Sequence, residues 1–194
     1  MRKLNERLLH PPSRRRGVLL LVLCAWLGLA VAADFRITKA TTRLQNETYV
    51  LDVLVDYAFN DVVLEALDNG VPLTLDMHLQ VRPRDSWIWE DSLIDRHVRF
   101  SISYQPLSGR YQVAVLPASF QKSFVTRDAA IAALGEIEGV PLVRRDELEP
   151  GQEYAVELKI FLDIEALPLP LRPLAYLRPS WNLSSGWSEW PLQP

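Results

Sequence analysis

The chain has 194 residues, 48% of them apolar, which is enough for a leader and one packed domain and unlike the composition of a disordered chain. Its single cysteine is Cys24, so the chain beyond it can form no disulfide, thiolate nucleophile or cysteine-ligated metal. Up to Ala32 there are six basic residues and one acidic; the remainder carries 15 basic and 23 acidic, a net charge of −8, which disfavours nucleic acid and anionic lipid head groups as partners.

Arg2, Lys3, Arg7, Arg14, Arg15 and Arg16 precede an unbroken apolar run from Gly17 to Val31, and Ala30-Val31-Ala32 offers small residues for cleavage. This is the order of parts in a secretory signal. The run is about 15 residues long, against the roughly 20 that span hydrocarbon, so cleavage is expected. The alternative is an uncleaved anchor with its basic end in the cytoplasm. In both cases residues 1–33 direct export, and the inner membrane is involved only if they are retained. Cys24 follows Leu23 in mid-run, which is not a lipoprotein signal.

From Phe35 onward the dominant period is two. Phe35 and Ile37 are in one phase and Ala40 and Leu44 in the other, which predicts a bulge near Lys39. Asn46-Glu47 reads as a hairpin turn into a strand with Tyr49, Leu51, Val53, Val55, Tyr57 and Phe59 on one face. Asn60 or Asp61 caps a short helix, Val62 to Leu67, that stops at Asn69-Gly70. Leu73, Leu75, Met77, Leu79 and Val81 then alternate with Thr74, Asp76, His78, Gln80 and Arg82. Ile94, Val98, Phe100, Ile102 and Tyr104 oppose Asp95, His97, Arg99, Ser101 and Ser103. A turn at Leu107-Ser108-Gly109 leads into Tyr111, Val113 and Val115. Thr126 caps a second helix expected over Arg127 to Ile137, with Ile131, Leu134 and Ile137 as its buried stripe. The last long strand places Tyr154, Val156, Leu158, Ile160, Leu162 and Ile164 on one face. Half-buried strands produce this alternation. Six or seven strands with two short helices predict a mainly β, antiparallel sandwich over residues 34–166.

Leu148-Glu149-Pro150-Gly151-Gln152-Glu153-Tyr154 resembles the tyrosine corner of immunoglobulin-like and fibronectin-like sandwiches, which makes Tyr154 the expected structural corner. Leu167-Pro168-Leu169-Pro170-Leu171-Arg172-Pro173 opens a Pro/Trp-rich tail over 167–194. Its prolines predict an extended or polyproline-like course, packed on the domain.

The chemistry-bearing constellations are few. Asp76, His78, Asp95 and His97 would meet as a metal or acid–base cluster if their strands paired, but nothing in the sequence fixes that register and no His-x-His or Glu-x-x-His spacing occurs. They read as solvated side chains. There is no Gly-x-Ser-x-Gly elbow and no phosphate-cradling loop, so no catalytic residue, metal or cofactor is expected. Trp87-Ile88-Trp89 lies in a charged loop and is either a lid over the sandwich end or a contact surface. Trp181, Trp187 and Trp190 extend that candidate surface, and Arg172 and Arg178 are placed to stack on tail indoles as a clamp. Trp187-Ser188-Glu189-Trp190 differs from a cytokine-receptor Trp-Ser box by Pro191 and by the missing cysteines. Pro170-Leu171-Arg172-Pro173, Asn46-Glu47-Thr48 and Asn182-Leu183-Ser184 are short matches that chance explains.

Leu64 to Leu75, the Trp87-Ile88-Trp89 loop, the Leu167 to Pro173 run and the Trp181 to Trp190 ending together resemble a bacterial envelope family. It is the family known as domain of unknown function 4390, whose members are also described as proline-rich signal-peptide proteins. The resemblance implies an exported protein of Gram-negative bacteria with no established activity, catalytic residues or cofactor, and some members are encoded near membrane sensor kinases. The expected role is a non-catalytic periplasmic interaction module with an envelope partner, such as a membrane sensor or assembly component. A sandwich binding a small ligand or lipid is the alternative, and a hydrolase-type enzyme the third.

Overall fold

The computed structural model describes residues 34–85, 92–117 and 120–192. Among these, nine strands form two antiparallel sheets: β1 (Phe35–Gln45), β2 (Thr48–Tyr57), β3 (Leu73–Pro83), β4 (Ile94–Gln105), β5 (Arg110–Leu116), β6 (Phe120–Phe124), β7 (Glu136–Arg144), β8 (Tyr154–Leu162) and β9 (Ser188–Pro191). The smaller sheet runs β1-β2-β7 and the larger β6-β5-β4-β3-β8-β9. Three short helices accompany them, α1 (Asp61–Asp68), α2 (Arg127–Gly135) and α3 (Arg172–Leu177). Among these residues no helix is long and apolar enough to cross a membrane.

The alternation read from the sequence becomes the inner layer. Leu73, Leu75, Met77, Leu79 and Val81 of β3 are fully buried, and Leu51, Val53, Val156, Leu158 and Ile160 join them in one core drawn from both sheets. Each such side chain contributes about 1.5–3 kcal/mol through burial. The β1–β2 register shifts between Ile37 and Lys39, the bulge that the change of phase requires. Asn46 and Glu47 both take positive φ, 47° and 60°, which lets a two-residue turn follow the strand twist.

Asn60 caps α1 by accepting from the Val63 N–H at 3.1 Å, and its own amide donates to the Ser180 carbonyl at 2.6 Å. The same side chain thus starts a helix and ties down the C-terminal segment. Thr126 caps α2, but that helix ends at Gly135, two residues before the expected Ile137. Ile137 is buried in β7 opposite Val53 instead. The reason is steric: a Cβ on Gly135 would lie 2.3 Å from the Val55 carbonyl oxygen, so the chain passes against β2 where only glycine fits.

Strands β6, β7 and β9 were not expected. β7 contains Gly139 and Pro141, and its pairing with β2 shifts twice, so no clean alternation marks it. As an edge strand it tolerates the proline. The extended course expected for the tail is also corrected. A 3₁₀ turn at Ile164–Ala166 is followed by α3, whose Pro173 occupies the first turn, where a missing N–H breaks no helical bond. Leu167, Ala175, Trp181 and Leu183 are core residues, and β9 completes the larger sheet against β8.

One carboxylate joins all three strands of the smaller sheet. Asp52 accepts from Arg43 Nε of β1 at 2.9 Å and from the Gly139 N–H of β7 at 2.7 Å. The Arg43 hydrogen bond holds its carboxyl below the ordinary range.

Two outcomes are expected. Gly135→Ala lowers stability by about 1–3 kcal/mol through overpacking against Val55, whereas Ala132→Ser on the exposed side of α2 stays within about 0.5 kcal/mol, both read from urea unfolding midpoints. Because the Asp52 carboxyl titrates lower folded than unfolded, its stabilisation is complete above the unfolded value and is lost as pH falls through the folded one. The stability gap between wild type and Asp52→Asn, about 1 kcal/mol or less for so accessible a pair, is therefore constant from pH 7 to 5 and closes in the acid range below about 4.

Candidate functional site

Two places combine unusual chemistry with defined geometry, and both are built on β4. Its even-numbered residues face the core, and its odd-numbered residues face outward across the larger sheet.

On the outer face, the register sets His78 of β3 opposite His97 of β4, Asp76 opposite Arg99, and Gln80 opposite Asp95. The two imidazoles stack with centroids 4.1 Å apart and planes 20° apart. His78 Nε2 lies 2.7 Å from Asp95 Oδ1, and the Gln80 amide donates to Asp95 Oδ2 at 2.7 Å. His97 Nδ1 lies 2.7 Å from Asp76 Oδ1, and Arg99 Nε donates to Asp76 Oδ2 at 3.2 Å. The His78 hydrogen bond lowers the Asp95 carboxyl below its ordinary range; desolvation opposes this and Gln80 adds to it. The reading of these four as solvated side chains needs correction at Asp76, which is only 3% exposed. It is buried because both its oxygens are engaged, which offsets the loss of water.

On the inner side, a groove of about 530 Å³ opens between β4 and β5 of the larger sheet and α2 and β7 of the smaller. Val98, Phe100, Val115, Leu134 and Ile137 supply its apolar wall, and Arg96 lies among them. Nε and Nη2 of Arg96 are shielded from solvent and have no hydrogen-bond partner among the described residues. Glu136 and Glu138 also line the groove but are exposed and make no ion pair with it among the described residues.

The tryptophans do not form one surface. Trp87 and Trp89 lie outside the described residues. Trp181 is 4% exposed and belongs to the core, which removes it from any contact surface. Trp190 packs partly buried against the core from β9, and Trp187 is 49% exposed with its edge against His78, centroids 4.9 Å apart. The clamp predicted for Arg172 and Arg178 takes another form. Arg172 Nε donates to the Leu167 carbonyl at 2.8 Å and approaches Glu165 at 3.7 Å; Arg178 is exposed, and neither stacks on an indole among the described residues. At the corner, the Tyr154 hydroxyl accepts from the Glu149 N–H at 3.1 Å, closing the Pro150-Gly151 turn onto the start of β8.

A family model described as domain of unknown function (DUF4390) matches residues 32–191. This chain belongs to the DUF4390 family. No curated protein and no solved structure matches it. Membership therefore brings no site residues with it, and both constellations stand on the geometry of this family member alone.

Arg96 was legible and overlooked. It is the one charged residue in the apolar phase of a strand that otherwise reads Ile94, Val98, Phe100 and Ile102. Trp187 carried no such signal, because its place beside His78 depends on pairing between β8 and β9.

Tyr154→Phe is expected to lower stability by about 1–2 kcal/mol, since the partly buried Glu149 N–H loses its acceptor; thermal unfolding measures the loss, and secondary structure by circular dichroism stays unchanged.

Proposed function

We propose that this chain is an exported, non-catalytic binding module of the Gram-negative periplasm whose groove takes a single-chain anionic amphiphile. The observation that carries the reading is that Nε and Nη2 of the half-buried Arg96 lack a hydrogen-bond partner among the described residues at an apolar groove. Shielded N–H donors without a partner are costly, and a carboxylate or phosphate satisfies Nε and Nη2 together with a forked, charge-assisted pair. The groove volume lies within the roughly 300–1,000 Å³ typical of small-ligand sites. Valine, leucine, isoleucine and phenylalanine walls suit an acyl chain.

Two further supports concern fold and compartment. The order β1-β2-β7 opposite β4-β3-β8-β9 follows A-B-E and C′-C-F-G of immunoglobulin-like domains, and Tyr154 opens the strand equivalent to F. This favours an immunoglobulin-like or fibronectin-like sandwich with β5 and β6 as additions at one edge. Export is favoured by the basic, apolar and small-residue order of residues 2–32, with the family match beginning at residue 32.

A second reading, docking of an envelope protein such as a membrane sensor or assembly component, is favoured by α3. Leu174, Tyr176 and Leu177 of that helix and Leu169 just before it are exposed apolar side chains.

Competition against a fluorescent fatty acid, with the full chain in both wild-type and Arg96→Ala form, tests the first reading. The substitution is expected to weaken oleate binding by about tenfold or more, as loss of a charge-assisted hydrogen bond does, while circular dichroism stays native. Equal affinity of the two proteins for oleate, or equal affinity of the wild type for oleate and oleyl alcohol, overturns it. In that event, loss of crosslinking to an envelope protein in Leu174→Asp and Leu177→Asp variants is the outcome expected of the second reading.

A further inference from the structure

Residues directly opposite in an antiparallel pair project to the same side of the sheet. The β3–β4 register therefore brings His78, His97 and Asp95 to one point of the outer face, where each offers a ligand atom within 4.8 Å of the others. The groove reading neither uses these residues nor explains them.

The surroundings include hydrogen bonding of the kind that holds a ligating histidine. A ligating histidine is normally held by a second hydrogen bond from its other ring nitrogen to a carboxylate, which fixes the tautomer and raises basicity. Asp76 does this for His97: it is buried, it lies 2.7 Å from Nδ1, and Arg99 holds its other oxygen. With Nδ1–H given to Asp76, Nε2 of His97 keeps its lone pair for another partner. The Trp187 indole packs against one side of the His78 ring, centroids 4.9 Å apart.

We propose that His78, His97 and Asp95 bind a divalent transition ion of the zinc class, with Asp76 as the positioning residue for His97 and a fourth coordination position left to water. The ion takes the place of the proton between His78 Nε2 and Asp95 Oδ1; that proton leaves to solvent, and metal–nitrogen and metal–oxygen bonds replace the hydrogen bond. Two imidazoles and one carboxylate suit zinc or copper, whereas magnesium and calcium seek oxygen donors. The alternative is a hydrogen-bonded ladder that only joins β3 to β4.

The experiment uses the full chain, without a polyhistidine tag, titrated with ZnCl₂ by calorimetry and with CuCl₂ by tryptophan emission. The expected result is one zinc ion per chain and no heat with MgCl₂. His78→Ala and His97→Ala each weaken zinc binding at least tenfold, and Asp76→Asn weakens it about 10–100-fold. Asp95→Asn, at an exposed position, loses affinity with native circular dichroism, which keeps the test decisive if Asp76→Asn fails to fold. Copper quenches emission in the wild type and less in Trp187→Phe. Coincident zinc titrations of the wild type and the His78→Ala/His97→Ala double variant overturn the site, because any binding to His10 or to surface carboxylates survives in both. Folded Asp76→Asn with wild-type affinity overturns the positioning role.

Discussion

The register of β3 between β4 and β8 is the constraint on which the rest depends. β3 is hydrogen-bonded on both sides, and five of its alternate residues, Leu73 to Val81, have no solvent exposure at all. A slip of one residue would bring Thr74, Asp76, His78, Gln80 and Arg82 into the core and expel the apolar row. Desolvating those polar groups would cost several kcal/mol for each charged one. One register is therefore favoured, and everything on the outer face inherits it. His78 stands opposite His97 because Met77 must stand opposite Val98 and Ile160.

The C-terminal segment belongs to this arrangement, although its composition suggests an appendage. β8 is paired with β3 on one side, and its other edge would be open without the segment from Leu183 to Pro191. Leu162 N–H donates to the Leu183 carbonyl, the Ile160 N–H donates to Ser185 Oγ, and β9 continues the ladder to Ala155. Covering an edge in this way removes a template for association with other chains. Pro191 is tolerated because β9 is itself the new edge. The proline-rich stretch before it serves as the crossing: Asn60 and the buried Leu167, Ala175 and Trp181 hold the crossing to the domain.

What could be read from the sequence follows from where the physics is local. The apolar alternation of β2, β3, β4 and β8, the cap at Asn60, the cap at Thr126, the bulge near Lys39 and the Asn46-Glu47 turn each depend on a few neighbouring residues, and each is found in the structure. Strands β6, β7 and β9 are short, bulged or proline-bearing edge elements whose pairing is supplied by a partner strand distant in sequence. Their own residues do not announce them. The same division applies to the sites. That Asp76, His78, Asp95 and His97 lie on polar faces was legible, but their meeting needed the register of two strands. Trp187 reaches His78 across a sequence separation that no local pattern spans.

The two sites sit on opposite sides of one strand, and this bears on how their polar residues are read. Arg96 and His97 are neighbours in β4: Arg96 lines the groove, and the ring of His97 stacks on His78 and bonds Asp76 on the outer face. If β4 were selected for stability alone, position 96 would hold an aliphatic side chain like its companions Ile94, Val98 and Phe100, since burying such a group stabilises and shielding two guanidinium nitrogens without a partner does the reverse. Likewise a threonine ladder would join β3 to β4 on the outer face without stacking two imidazoles or burying Asp76. Polar groups placed where apolar or neutral ones would hold the fold better are the residues whose retention fold stability does not explain. In this chain Arg96 and His97 fall on adjacent positions of β4, which is paired along its length with β3, so both the groove cation and the histidine pair are carried by strands rather than by loops. That placement favours reading each as a preorganised binding group.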